Sequence, residues 1–316
     1  MGVLDLSLSP GKVAFLYPGQ ASQYVGMGAD LYEKFDSVKS YYSRASEVLG
    51  FDLAEISFNG PIEELTQTSV TQPAIFTHSY SLSMLLADKG IRPDFAAGHS
   101  LGEYAAYTSA GSMELTDAIN LVKVRADSMQ KACDENPGIM AAVIGMELET
   151  LETICAQENE NGVVNVANLN SPAQLVISGE IAPVREVMEF AKEHGAKIVK
   201  ELNVGGAFHS PLMKPAVEKL SQALESVSIS SPEFPVYTNV SGQPLFDPEE
   251  IKRSLIEQLT SPVRWYPSML NMANAGAAEF IEIGPGKVLQ GLTKRTNKEF
   301  RSSGIDRLDD LGLMLN

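Results

Sequence analysis

Short apolar runs alternate along this chain with longer stretches of helical periodicity. Lys12-Val-Ala-Phe-Leu-Tyr17 is almost continuously apolar and is stopped by Pro18-Gly19, which predicts a strand covered on both faces. Leu31 to Leu49 predicts one helix, Pro61 to Leu65 a helical turn, and Thr71-Gln-Pro73 the start of a helix to Lys89. Proline suits the first turn of that helix, where its missing N–H has no partner to lose. Phe95 to Ala97 reads as the end of a buried strand, followed by a helix of small residues from Glu103 and another from Glu114 to Cys133.

From Gly138 the pattern changes. Strands are expected at Gly138–Met146, Val163–Asn168, Gln174–Ser178 and Ala196–Leu202, with helices at Glu147–Gln157 and Ala182–His194. This β-α-β-β-α-β order is that of a ferredoxin-like unit. Beyond it come a helix at Pro211–Leu224, a strand at Val236–Asn239 and a helix at Pro248–Leu259. A helix near Tyr266–Ala275, a strand at Glu279–Ile283 and a helix from Gly286 to about Arg295 end the pattern. The expected fold is α/β: a large α/β-hydrolase-like domain with a mostly parallel sheet, from residues 1–135 and 205–316, and a small inserted ferredoxin-like subdomain, residues 136–204.

Charge and composition narrow the function. Among 316 residues, 40 are acidic and 24 basic, a net charge of −16 that argues against nucleic acid as the main partner. An anionic substrate would need a local basic patch. No apolar run reaches the ~18–20 residues that span a bilayer. The first ten residues lack a basic n-region and an apolar h-region, so no signal peptide is expected, and Met1-Gly2 does not suit myristoylation. Cys133 and Cys155 are too few for a disulfide framework or a zinc site. We expect a cytoplasmic monomer without membrane partner, metal or bound cofactor.

The chemistry centres on Gly98-His99-Ser100-Leu101-Gly102, set between a strand and a helix as in a nucleophile elbow. Small residues two before and two after the serine let neighbouring backbone pass close, and the following helix turns its free N–H groups toward any developing anion. A serine needs a base. Of the four histidines, His99 diverges from its neighbour Ser100 and suits a structural or pocket-wall role. His78 reads as a core histidine and His194 as a helix cap, which leaves His209 in the glycine-rich loop Val204-Gly-Gly-Ala-Phe-His-Ser-Pro-Leu212 as the candidate base. No acidic residue between Ser100 and His209 stands in the strand-end loop that a triad acid occupies. A Ser–His dyad oriented by a carbonyl is therefore expected. Arg125 lies in the apolar seam Leu115, Ala118, Val122, Arg125, Met129. Two readings stay open there: a snorkelling arginine or a structural ion pair, or a buried guanidinium reserved for a substrate carboxylate.

These residues resemble the malonyl-CoA:acyl carrier protein transacylase family, whose relatives include polyketide synthase acyltransferase domains. The resemblance rests on Tyr17-Pro-Gly-Gln-Ala-Ser-Gln23, Thr71-Gln-Pro-Ala74, Gly98-His-Ser-Leu-Gly-Glu-Tyr104, Arg125 with Met129-Gln130, and Asn168-Leu-Asn-Ser-Pro172. It continues through Gly206-Ala-Phe-His-Ser-Pro211, Gln258-Leu-Thr-Ser-Pro-Val-Arg-Trp265 and Ile283-Gly-Pro-Gly-Lys-Val-Leu289. One departure is Ala21, where the family commonly has glycine. The resemblance implies ping-pong transfer of malonyl from malonyl-CoA to the phosphopantetheine thiol of acyl carrier protein, in fatty acid biosynthesis. It implies Ser100 as nucleophile, His209 as base and the Gln258 carbonyl as its orienting group. The backbone N–H groups of Gln20 and Leu101 would form the oxyanion hole. Arg125, His99, Phe208, Asn168, Asn170 and Gln72 would bind substrate. Lys287, Lys294 and Arg295, with Lys298 and Arg301, form the densest basic cluster, which reads as a docking surface for carrier or nucleotide phosphates or as a solvated helix face. The alternatives are a transacylase serving a polyketide synthase, a serine thioesterase or esterase supported by the elbow alone, and a non-catalytic carrier-binding protein.

Overall fold

The computed structural model describes residues 11–314, so the segment read above for a leader and a myristoylation site lies outside the described residues. β1 (Lys12–Tyr17) runs through the middle of a six-stranded sheet because its residues from Val13 to Tyr17 are all buried, as a strand covered on both faces must be. Parallel neighbours flank it: β2 (Phe95–Gly98) on one side and β9 (Ala277–Ile283) on the other. β10 (Arg301–Ile305) extends the sheet beyond β9, and β7 (Val236–Tyr237) lies parallel beyond β2. Only β8 (Pro244–Leu245), at the edge, is antiparallel. The order is β10-β9-β1-β2-β7-β8.

The second sheet is antiparallel throughout. It is built from β3 (Gly138–Ile144), β4 (Val164–Ser171), β5 (Gln174–Glu180) and β6 (Ile198–Glu201), in the order β4-β5-β3-β6. Helices α8 (Leu148–Glu158) and α9 (Ile181–Glu193) cover it, and its Leu, Ile and Val side chains form a core cluster of their own around Leu151, Val166, Ile177 and Val187. The two sheets meet along β4. Leu169 donates to the Val263 carbonyl at 2.9 Å and Val263 to that of Ala167 at 2.8 Å, which carries Asn168 and Asn170 toward the C-terminal ends of β1 and β2. The fold is thus mixed α/β, with one mostly parallel sheet and one antiparallel sheet.

Several elements differ from the sequence reading. The helix expected over Leu31–Leu49 is two, α1 (Ala29–Lys34) and α2 (Asp36–Leu49), parted at Phe35, whose extended backbone (φ −121°, ψ 120°) turns its ring onto the core. An unforeseen α3 (Leu53–Asn59) is capped by Asp52, which accepts from the Glu55 N–H at 3.0 Å. After the short α4 (Ile62–Leu65), α5 (Thr68–Ala87) begins before Thr71 and holds Pro73 inside rather than in its first turn. The lost backbone bond is offset by burial of α5 on nearly every face, including Thr71, Gln72, Phe76 and His78. The strand expected at Val236–Asn239 ends at Tyr237, and Thr238 and Asn239 leave the sheet, both fully buried. β10 and α14 (Leu308–Met314) were not foreseen, since Arg301-Ser-Ser-Gly-Ile305 shows no apolar alternation.

α6 (Gly102–Ser109), α12 (Trp265–Asn274) and α13 (Val288–Thr296) pack on the first sheet, while α7 (Leu115–Glu135) packs against α5 and α10 (Lys214–Glu225), and α10 against α11 (Pro248–Glu257). No helix among the described residues is long and apolar enough to cross a membrane.

Candidate active site

Three non-glycine residues among those described have left-handed backbones: Ala21 (φ 80°), Ser100 (φ 51°) and His209 (φ 57°). Such strain persists only where the surroundings impose it, and all three line one cavity of about 280 Å³ at the ends of β1 and β2. The Ser100 turn is tight for a steric reason. A Cβ on Gly98 would lie 1.8 Å from the Gly102 carbonyl carbon, and one on Gly102 would lie 2.1 Å from the Tyr17 oxygen. Ala21, where the resembling family commonly has glycine, keeps the left-handed backbone that explains that preference, at an exposed position.

Ser100 Oγ is 2.8 Å from His209 Nε2, and His209 Nδ1 is 2.9 Å from the Gln258 carbonyl oxygen. A carbonyl only accepts, so Nδ1 carries the ring proton and Nε2 is left to receive the serine proton. Asn165 Nδ2 donates to the His209 carbonyl at 3.0 Å and pins the loop from β4. Burial, reinforced by the nearby Arg125 charge, pushes the His209 imidazole down to about 3. The neutral ring is therefore the resting form.

Arg125, on α7, is 1% exposed. Its Nη1 donates to Gln72 Oε1 at 2.6 Å, and its Nη2 to Ser100 Oγ at 2.9 Å and Gln258 Oε1 at 3.0 Å. These partners are all neutral, and Nε is buried with no acceptor. The guanidinium also stands 5.6 Å from the Tyr104 ring centroid. No carboxylate pairs with it among the described residues, which removes the structural ion pair from the two readings of the seam. Gln20 and Leu101 line the same cavity, and no acceptor is found for their backbone N–H groups among the described residues. Phe208, Asn168, Asn170 and His99 complete the wall, with His99 Nε2 2.9 Å from Asn170 Oδ1 and its imidazole pushed down by burial.

Arg295, on α13, stands at the cavity wall and donates to Gln174 Oε1 at 3.4 Å. Lys294 is exposed beside it on the same helix, while Lys287 borders a separate hollow with Asp306, Arg307 and Asp310. The other two histidines lie away from the cavity. His78 Nε2 is 2.9 Å from Asp306 Oδ1, and His194 Nδ1 is 2.8 Å from the Phe190 carbonyl at the end of α9.

Two residues that sequence reasoning missed organise the floor of the site. Asn239 Oδ1 accepts the Ser100 N–H at 2.7 Å, and its Nδ2 donates to the Gly98 carbonyl at 2.7 Å, fixing both ends of the turn. Glu103 is fully buried, accepts from Gln258 Nε2 and takes the Asn239 N–H at 3.3 Å. Gln258 Nε2 also reaches the Ser100 carbonyl at 3.0 Å. The available signal was a lone carboxylate inside a helix of small and aromatic residues, Gly102 to Ser109.

Burial pushes the Glu103 carboxyl up to about 8, against the opposing pull of Gln258, Asn239 and Arg125. The native state thus keeps a proton that the unfolded carboxyl loses near its ordinary 4.5. Stability falls as pH rises through this window, by up to ~1.4 kcal/mol per pH unit. Glu103→Gln removes that slope, so urea unfolding at about pH 5 and about pH 8 should show the variant gaining on the wild type as pH rises. A constant gap would show that the carboxyl does not titrate there.

The family model described as acyl transferase domain matches residues 14–314. A malonyl CoA-acyl carrier protein transacylase of Bacillus subtilis is 43% identical over 305 residues, 96% of each chain. The crystal structure of an acyl carrier protein S-malonyltransferase from Vibrio cholerae superposes with a TM-score of 0.92 at 42% identity, covering 95% of this chain and 99% of that one. A type II polyketide synthase acyl-carrier protein in complex with its malonyl-transacylase gives a TM-score of 0.92 at 38% identity, over 96% of this chain and 99% of the other. With a family model spanning nearly all the described residues and relatives this close end to end, the chain belongs to the malonyl CoA-acyl carrier protein transacylase family of acyltransferases.

Proposed function

We propose that the chain moves the malonyl group of malonyl-CoA onto the phosphopantetheine thiol of acyl carrier protein, in fatty acid biosynthesis, through an ester on Ser100. The observation that carries this reading is Arg125, a buried cation beside Ser100 whose partners are all neutral. A buried guanidinium cannot shed its charge and is best satisfied by a bidentate carboxylate. Malonyl supplies one at the far end of its thioester. The names of the relatives support the same donor, and the solved complex supports the carrier as acceptor.

In this mechanism His209 Nε2 takes the Ser100 proton as Oγ attacks the thioester carbon. The Gln20 and Leu101 N–H groups receive the oxyanion, a kind of interaction worth about 2.7–4 kcal/mol of barrier per donor. As the tetrahedral carbon collapses, His209 returns its proton to the departing coenzyme A sulfur. The carrier thiol then enters, gives its proton to His209, and the same steps in reverse release Ser100. A thioester is already an activated acyl group, so no metal or bound cofactor is called for. His99, Asn168, Asn170, Gln72 and Phe208 shape the space around the malonyl group. Arg295 at the wall, with Lys294 beside it and Lys287 at the start of the same helix, suits the phosphates of either thioester.

We read residues 136–204 as a ferredoxin-like subdomain set into a large α/β-hydrolase-like domain, a description supported by the β4-β5-β3-β6 strand order. We read the chain as a cytoplasmic monomer.

Arg125→Ala tests the reading. Leaving the malonyl carboxylate without its cation should lower kcat/KM for malonyl-CoA on the order of a hundredfold or more. The ratio of acetyl-CoA to malonyl-CoA activity should rise. Equal losses on both substrates would make Arg125 a packing residue.

A further inference from the structure

Ser100 Oγ has two partners. It lies 2.8 Å from His209 Nε2, to which it donates, and it accepts from Arg125 Nη2 at 2.9 Å. The second contact leaves the first in place but ties up a lone pair of the nucleophile. A guanidinium on a serine lone pair draws electron density from the atom that must attack, and its charge also lowers the proton affinity of His209. The cation is held there loosely by its chemistry. Gln72 and Gln258 offer it amide oxygens only, and Nε has no acceptor. A carboxylate, with two charged oxygens in a plane, is a far stronger acceptor than a hydroxyl or an amide.

We propose that Arg125 restrains Ser100 as well as binding substrate, and that a carboxylate entering the cavity draws the guanidinium off Oγ and releases the nucleophile. The proposal rests on Ser100 as nucleophile and Arg125 as the carboxylate's partner. It adds that selection for a dicarboxylic acyl group acts on the chemical step. A thioester that binds without a carboxylate meets a serine still hydrogen-bonded to the cation. The serine thus gains its reactivity from the part of the substrate that does not react.

The test uses a small neutral probe that reports on Ser100 alone. Methanesulfonyl fluoride forms an O–S bond to Oγ as the S–F bond breaks, fluoride leaves and the serine proton passes to His209. Its labelling rate, read by intact mass and peptide mapping, is measured with formate, with neutral formamide, and with chloride at matched ionic strength. Formate should raise the rate about tenfold, the scale of one charge-assisted hydrogen bond, and the other two should not. Arg125→Ala should label fast in buffer alone and ignore formate. A wild-type rate that formate leaves unchanged, or slows, would overturn the restraint while Ser100 still labels. Labelling at a different residue would instead overturn the nucleophile assignment and the restraint with it.

Discussion

Ser100→Ala is expected to abolish the acyl-enzyme and to lower malonyl transfer by roughly a millionfold, the scale seen when a catalytic serine is removed from a unit that works together. The variant loses Oγ and little else. Alanine tolerates the left-handed backbone about as well as serine does, and the Ser100 N–H bond to Asn239 and carbonyl bond to Gln258 are backbone contacts that survive. His209, Arg125 and the oxyanion donors stay in place with nothing to activate. Intact mass after mixing with malonyl-CoA should show the unmodified chain. A covalent malonyl adduct on this variant would place the nucleophile elsewhere.

His209→Ala should slow acylation by about a hundredfold to ten-thousandfold, the usual range for loss of a positioned base. The wild-type pH profile carries a signature of the same residue. Burial and the Arg125 charge hold the imidazole down at about 3, so the base stays neutral well below the ordinary 6.5. The sign follows directly: protonation removes the base, and protonation is postponed to strong acid. The kcat/KM of acylation, which reports the free enzyme, should therefore show no half-loss near pH 6.5. A half-loss there would show an ordinary imidazole. The depressed value also means that the unfolded chain binds this proton more readily, so His209 costs stability as pH falls from 6.5 toward 3.

Much of this site was legible in the sequence because its signals are local. Gly98 and Gly102 announce a turn in which backbone passes within van der Waals contact, and Arg125 announces itself by breaking an apolar seam at helical spacing. His209 needed a different argument, elimination among four histidines, since nothing in the chain states that its loop approaches a turn 109 residues away. Asn239 and Asn165 were not legible for the same reason carried further, and Glu103 showed only as a lone carboxylate among small and aromatic residues. Each acts through partners far off in the chain, and a polar residue in a buried element looks alike whether it serves a site or merely satisfies itself. In the fold, the two-residue β8 and the polar edge strand β10 escaped because pairing with neighbours, not their own pattern, makes them strands. Pro73 inside α5 shows tertiary burial overruling a local preference.

On the proposed mechanism the ester on Ser100 is handed to a thiol rather than to water. This is tested most directly by isolating the malonyl-enzyme and splitting it between buffer alone and an excess of holo carrier protein, then following both products by mass. The adduct should persist in buffer and discharge rapidly onto the carrier's phosphopantetheine. Release of free malonate at the same rate in both arms would contradict it and make the chain a thioester hydrolase.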